Sequence, residues 1–122
     1  MSIELPEKKI QSAFFEWLSF YPCLCLATFA IPNGGSRNCL EAKSLKAQGV
    51  TPGVPDLFMA VPYSGYHGLF IELKSKTGRL SEHQKTWLNN LNDRAYKAVV
   101  CYSLDEAMDV VTKYLGGNLN NV

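Results

Sequence analysis

The sequence predicts an α/β domain in which a mixed sheet of four strands is flanked by helices, in the order α-β-α-β-β-α-β-α. Three observations carry this. Apolar residues recur at helical spacing from Pro6 to Tyr21. Two short apolar runs are separated by the turn-rich "PYSGYH". Two helix-start signatures, Ser81 with Gln84 and Ser103 with Glu106, bracket a further apolar run, "KAVVCY".

From Pro6 to Tyr21, Ile10, Phe14, Trp17, Leu18 and Tyr21 form one stripe, and Pro6 suits a first helical turn. Residues 24–31, "LCLATFAI", read as a strand, and "PNGGSR" as a glycine-rich turn. Asn38 can cap a second helix that stops at Gly49. The proline and glycine of "VTPGVP" (50–55) exclude regular structure there. The runs "DLFMAV" (56–61) and "GLFIELK" (68–74) predict a hairpin. The capping box at Ser81 opens a helix through Leu91, "KAVVCY" is the last strand, and a helix from Ser103 ends near Leu115. The expected division is one domain over residues 1–115 and a flexible C-terminal tail over 116–122.

Composition narrows the function classes. With 122 residues, 47% of them hydrophobic and 19% charged, the chain can bury a core, and global disorder is excluded. No apolar run approaches the roughly 20 residues of a membrane span. The N-terminus lacks the basic-then-apolar order of a signal peptide, so a soluble, cytoplasmic protein without a membrane partner is expected. Four cysteines with no CxxC pair and two histidines argue against a structural zinc site, and reduced thiols are expected. The net charge of +1 conceals a basic centre. Residues 37–85 hold seven bases against four acids, which suits a phosphate-bearing partner or is ordinary solvated charge.

The hairpin carries an anomaly. Its second strand opens with Leu69, Phe70 and Ile71 and then places Glu72 and Lys74 on one face with Phe70, opposite Leu69, Ile71 and Leu73. Pairing Asp56 with Glu72 sets Ala60 against Gly68 and Val61 against His67, and leaves the five-residue loop "PYSGY". In that register Asp56, Glu72 and Lys74 meet at one end of the sheet. Two carboxylates so placed repel each other, and a divalent cation relieves the repulsion while offering a Lewis acid to phosphate. The structural alternative is a solvated Glu72–Lys74 pair with Asp56 capping a turn.

The segments "IPNGGSR", "LKAQGVTPGVPDLFM", "FIELKSKTGRLSEHQKTWLNNL" and "SLDEAMDVV" resemble, in order, the VRR-NUC branch of the PD-(D/E)XK nuclease superfamily, from Glu7 to about Tyr114. The resemblance implies a restriction-endonuclease-like core and a metal-dependent DNA endonuclease. It implies Asp56, Glu72 and the Leu73 backbone carbonyl as ligands of Mg²⁺ or Mn²⁺, and Lys74 as the catalytic lysine. It also implies a homodimer selective for branched DNA such as four-way (Holliday) junctions. The alternatives are a flap- or end-directed nuclease and a nuclease-like DNA-binding module without catalysis.

Around this centre, Gln84 is either a helix-start residue or an active-site residue, as the resemblance implies. Arg37, following the Asn33–Gly34–Gly35 turn, could meet phosphate or simply face solvent. Lys46, Lys76 and Arg79 are candidate DNA contacts, His83 is expected at the surface, and Trp17 and Trp87 in the core. Related nucleases commonly add a carboxylate from the first helix, and Glu7 and Glu16 are the candidates. At about 100° per residue Glu7 falls within the inward stripe, with Gln11 one turn later in support, and Glu16 falls about opposite. The alternative for Glu7 is a first-turn acid favouring the helix N-terminus.

Overall fold

The computed structural model of the chain describes residues 5–32 and 39–120. Helix α1 (Glu7–Leu18) buries Ile10, Phe14 and Leu18, the centre of the expected stripe. It stops earlier than its apolar pattern because Pro22 holds Tyr21 out of helical geometry, at φ −126° and ψ 82°. Trp17 and Tyr21 still join the packing, with ring centroids 5.4 Å apart.

Residues 24–31 were expected as one strand, and the first half of that segment is helical instead. Helix α2 (Pro22–Ala27) starts with Pro22 at its first position and buries Leu24, while strand β1 is confined to Thr28–Ala30. Four apolar residues flanked by proline satisfy helix and strand patterns equally, and the packing of Leu24 against the core decides for helix. Helix α3 (Cys39–Ala47) matches expectation, though its predicted cap, Asn38, lies outside the described residues.

Strands β2 (Leu57–Met59), β3 (Leu69–Leu73) and β4 (Lys97–Cys101) complete a sheet in the order β1-β2-β3-β4. The β1–β2 and β2–β3 pairs are antiparallel and β3–β4 is parallel, which makes the sheet mixed. Leu57 pairs with Ile71 and Met59 with Leu69, the register that sets Asp56 against Glu72. The connection is tighter than expected. Tyr63 and Tyr66 exchange backbone hydrogen bonds of 3.0 and 2.9 Å around Ser64 and Gly65, both at positive φ. Such a two-residue turn matches the twist of the strands it joins, and the one-residue offset falls between Met59 and Tyr63 on the first strand.

Helices α4 (Glu82–Asp93) and α5 (Leu104–Tyr114) each start where a serine was expected to cap. The Ser103 hydroxyl accepts from the Glu106 N–H, and the Glu106 carboxylate accepts from Tyr102 rather than from the cap residue itself. Helices α1 and α5 pack on the face bearing Leu57, Met59, Leu69, Ile71, Leu73 and Cys101. Across the opposite face run Phe29, Phe58 and Phe70, with Tyr96 closing the row. Helix α4 lies along the outer strand. The Asn92 side chain donates to the Ala98 carbonyl (2.9 Å) and accepts from its N–H (3.1 Å), so the free edge of β4 is capped by a side chain. Beyond α5, Gly116 and Gly117 donate to Lys113 and Thr112 in a Schellman close, and Leu119 packs against the core. No helix among the described residues is long and apolar enough to cross a membrane.

Candidate active site

Asp56 precedes β2 and is fixed at two points. Its carbonyl accepts from the Ile31 N–H at 2.7 Å, and its Oδ2 accepts from the Leu73 N–H at 2.7 Å. Glu72 lies directly across the hairpin and is only 3% exposed, one of the two buried polar residues among those described. The two carboxyl groups face each other at hydrogen-bonding range. Burial is the main reason both are pushed above the ordinary carboxylate range. Repulsion from Asp56 adds to the effect at Glu72, which is raised to about 8, and Lys74 opposes it. At Asp56 the Leu73 N–H counters part of the rise. A pair so placed retains a proton near neutral pH unless another cation takes its place.

Lys74 Nζ stands 4.0 Å from Glu72 Oε2, with its side chain 12% exposed. Strand alternation brings the ammonium to the same face as Glu72. The Lys74 N–H donates to the Cys101 carbonyl, so β4 secures the backbone beneath it.

Gln84 satisfies both of its expected roles at once. Its Oε1 accepts from the Ser81 N–H (2.8 Å), completing a capping box with the Ser81 hydroxyl, while its Nε2 donates to Glu72 Oε2 at 3.2 Å. The first turn of α4 is thereby tied to the site. Gly53, at φ +90°, lets the preceding loop rest on this turn, since a Cβ there would lie 2.5 Å from the His83 carbonyl carbon. That contact had no sequence signal beyond the glycine itself. The Leu73 N–H carries no sequence signal either. The resemblance implied a role for its carbonyl, and the amide on the same residue orients Asp56.

Glu7 departs from the inward placement expected of it. It is exposed, because the core begins one turn later at Ile10. It nonetheless lies near enough to push both Asp56 and Glu72 upward. Gln11 is half-buried on the next turn, and Glu16 is exposed. Lys76 and Arg79 are exposed on the loop that leaves Lys74 and returns through Ser81 to Gln84, so both ends of that loop are anchored at the site. Lys46 is exposed in the last turn of α3. Asn33, Gly34 and Arg37 lie outside the described residues. His83 is exposed, Trp17 and Trp87 are half-buried.

A mixed sheet thus holds facing carboxyls and a lysine at one end of its adjacent strands. The family comparison places this arrangement in a nuclease-like, DNA-acting domain. The VRR-NUC domain profile matches residues 3–105, and the chain belongs to that family. A solved structure described as a VRR_NUC domain protein is similar over 95% of this chain and 93% of its own, with a TM-score of 0.83 and 26% identity. No curated protein matches the chain.

Proposed function

We propose that this protein is a metal-dependent DNA endonuclease, and that the buried Asp56–Glu72 pair beside Lys74 is its catalytic centre. The observation that carries this is the pair itself. Two carboxyls held face to face at the end of a core strand are costly to ionise, and a divalent cation is the partner that makes both charges favourable. Their oxygens are hard donors of the kind Mg²⁺ and Mn²⁺ prefer. Among the described residues no third His, Cys, Asp or Glu forms a cluster with them. Further ligands would therefore be the Leu73 carbonyl, water and phosphate oxygens.

When bound, the cation supplies Lewis acidity toward the scissile phosphate. The protein's own groups do the rest. The Leu73 N–H holds Asp56 in one orientation, and Gln84 Nε2 holds Glu72 by its Oε2, so both carboxylates are set before DNA arrives. The Lys74 ammonium orients the attacking water and stabilises the negative charge that grows on the phosphorane. Lys76 and Arg79 on the adjoining loop contact the DNA backbone.

The preferred substrate is branched DNA, with a homodimer presenting two sites to the two symmetric strands of a four-way junction. The resemblance to stand-alone members of the family supports this choice. The test is cleavage of four-way, flapped and linear DNAs with Mg²⁺ or Mn²⁺ and with chelator, alongside sedimentation. Paired nicks across the junction by a dimer are expected. Asp56→Asn, Glu72→Gln and Lys74→Ala should each abolish cutting while DNA is still bound. Near wild-type turnover by either carboxylate variant would sink the assignment. A monomer cutting flaps or ends equally well would replace the junction reading, and binding without cutting under every metal would leave a DNA-binding module.

A further inference from the structure

At the other end of the sheet, the tight hairpin turn, the start of β4 and the end of α5 enclose an open groove of about 470 Å³, within the size range of small-ligand sites. Tyr63, Tyr66 and Tyr114 line it, with Lys97, Lys113 and Val110. We infer that this groove binds an unpaired nucleotide of single-stranded DNA, its base against the tyrosine rings and its phosphate on Lys97. The inference rests on the DNA-acting reading of the chain and assigns it a second contact, distinct from the carboxylate centre.

The construction of the groove supports that ligand. Tyr63 and Tyr66 are directly cross-strand, so the two-residue turn projects both rings to one side. Their centroids stand 6.2 and 6.0 Å from that of Tyr114, whose hydroxyl is anchored on the Val61 carbonyl at 2.7 Å. The turn tyrosines are each 39% exposed, which leaves ring surface for a base. Gly116, at φ +66°, allows this arrangement, since a Cβ there would meet the Tyr63 hydroxyl at 2.5 Å.

The charges match as well. Lys97 Nζ lies 5.8 Å from the Tyr66 ring centroid, near the outer limit of a cation–π contact, and makes no ion pair among the described residues. Lys113 is held by Asp109 at 2.9 Å, so Lys97 is the better phosphate partner. An ammonium beside clustered, partly exposed aromatic rings is the combination that binds single strands without sequence preference. Lys97 pairs with Leu69, three residues before Glu72, so the groove begins about 10 Å along the strand from the carboxylates and on the opposite face of the sheet. A strand separated at a branch could engage it while the duplex occupies the site.

Fluorescence anisotropy of a labelled oligothymidine, titrated with the full chain in chelator, tests this. Tyr66→Ala should weaken binding about fivefold or more, the lower range for one lost base–aromatic stack. Lys97→Gln should also weaken it, and Tyr66→Phe, which keeps the ring, should bind as wild type. Thymidine 5′-phosphate should compete, and inorganic phosphate at equal concentration should not. Unchanged affinity in folded Tyr66→Ala and Lys97→Gln overturns the inference, as does equal competition by phosphate or by blunt duplex. Should Tyr66→Ala fail to fold, Lys97→Gln decides. Metal-dependent cutting with no groove-dependent binding removes this inference alone. Groove-dependent binding with no cutting under any metal removes the nuclease reading alone.

Discussion

Replacing Glu72 by glutamine should make the metal-free protein more stable at alkaline pH. The folded protein holds Glu72 protonated up to about 8, whereas an ordinary glutamate releases its proton near 4.5. Between those values the folded state binds more protons than the unfolded state, so stability is lost as pH rises through the window and levels off above it. The slope approaches about 1.4 kcal/mol per pH unit where the folded group is fully protonated and the unfolded one fully ionised. At 3% exposure little solvent screening reduces it, and the accumulated effect at pH 8 is on the order of a few kcal/mol. Glu72→Gln keeps the size of the side chain and removes the titration. In chelator, thermal denaturation from pH 5.5 to 8.5 should show the wild-type Tm falling on the order of 10 °C further than that of Glu72→Gln. Added Mg²⁺ or Mn²⁺ should raise the wild-type Tm more at pH 8 than at pH 6, because binding requires both carboxylates to be ionised. Parallel pH profiles for the two proteins would refute the burial-and-repulsion account of the pair.

Two further comparisons separate functional from structural roles. Ser81→Ala should lower stability by about 1 kcal/mol with cleavage nearly unchanged, whereas Gln84→Ala should lose a similar stability and also cut turnover, because it alone reaches Glu72. Equal turnover for the two variants would reduce Gln84 to a cap. Glu7→Gln should reduce turnover about tenfold and weaken metal binding measured by calorimetry, since its field reaches both carboxylates, while Glu16→Gln should be nearly silent. A reversed pair of effects would remove Glu7 from the site.

The sequence by itself determined those features that depend on neighbours along the chain or on strict alternation. The capping serines at 81 and 103 mark the two helix starts, and the alternation of Leu69, Ile71 and Leu73 against Glu72 and Lys74 sets the hairpin register. That register is sufficient to bring Asp56 to Glu72, because a one-residue slip would turn the buried face of the strand outward. Only the tertiary structure decided what distant elements do to one another. The short run of residues 24–27, readable as helix or strand, is a helix that buries Leu24 in the core. Glu7 has the phase of the buried stripe but lies a turn beyond the core, so it acts on the carboxylates from solvent. The spacing of Gln84 from Ser81 reads as a cap, and its contact with Glu72 forms only when α4 is laid against the end of β3. The three tyrosines are separated by up to 51 positions and by no periodic pattern, and only closure of α5 against the hairpin assembles them. Local geometry follows from backbone sterics between near neighbours, whereas the depth of a group and the field it feels are set by packing across the whole chain.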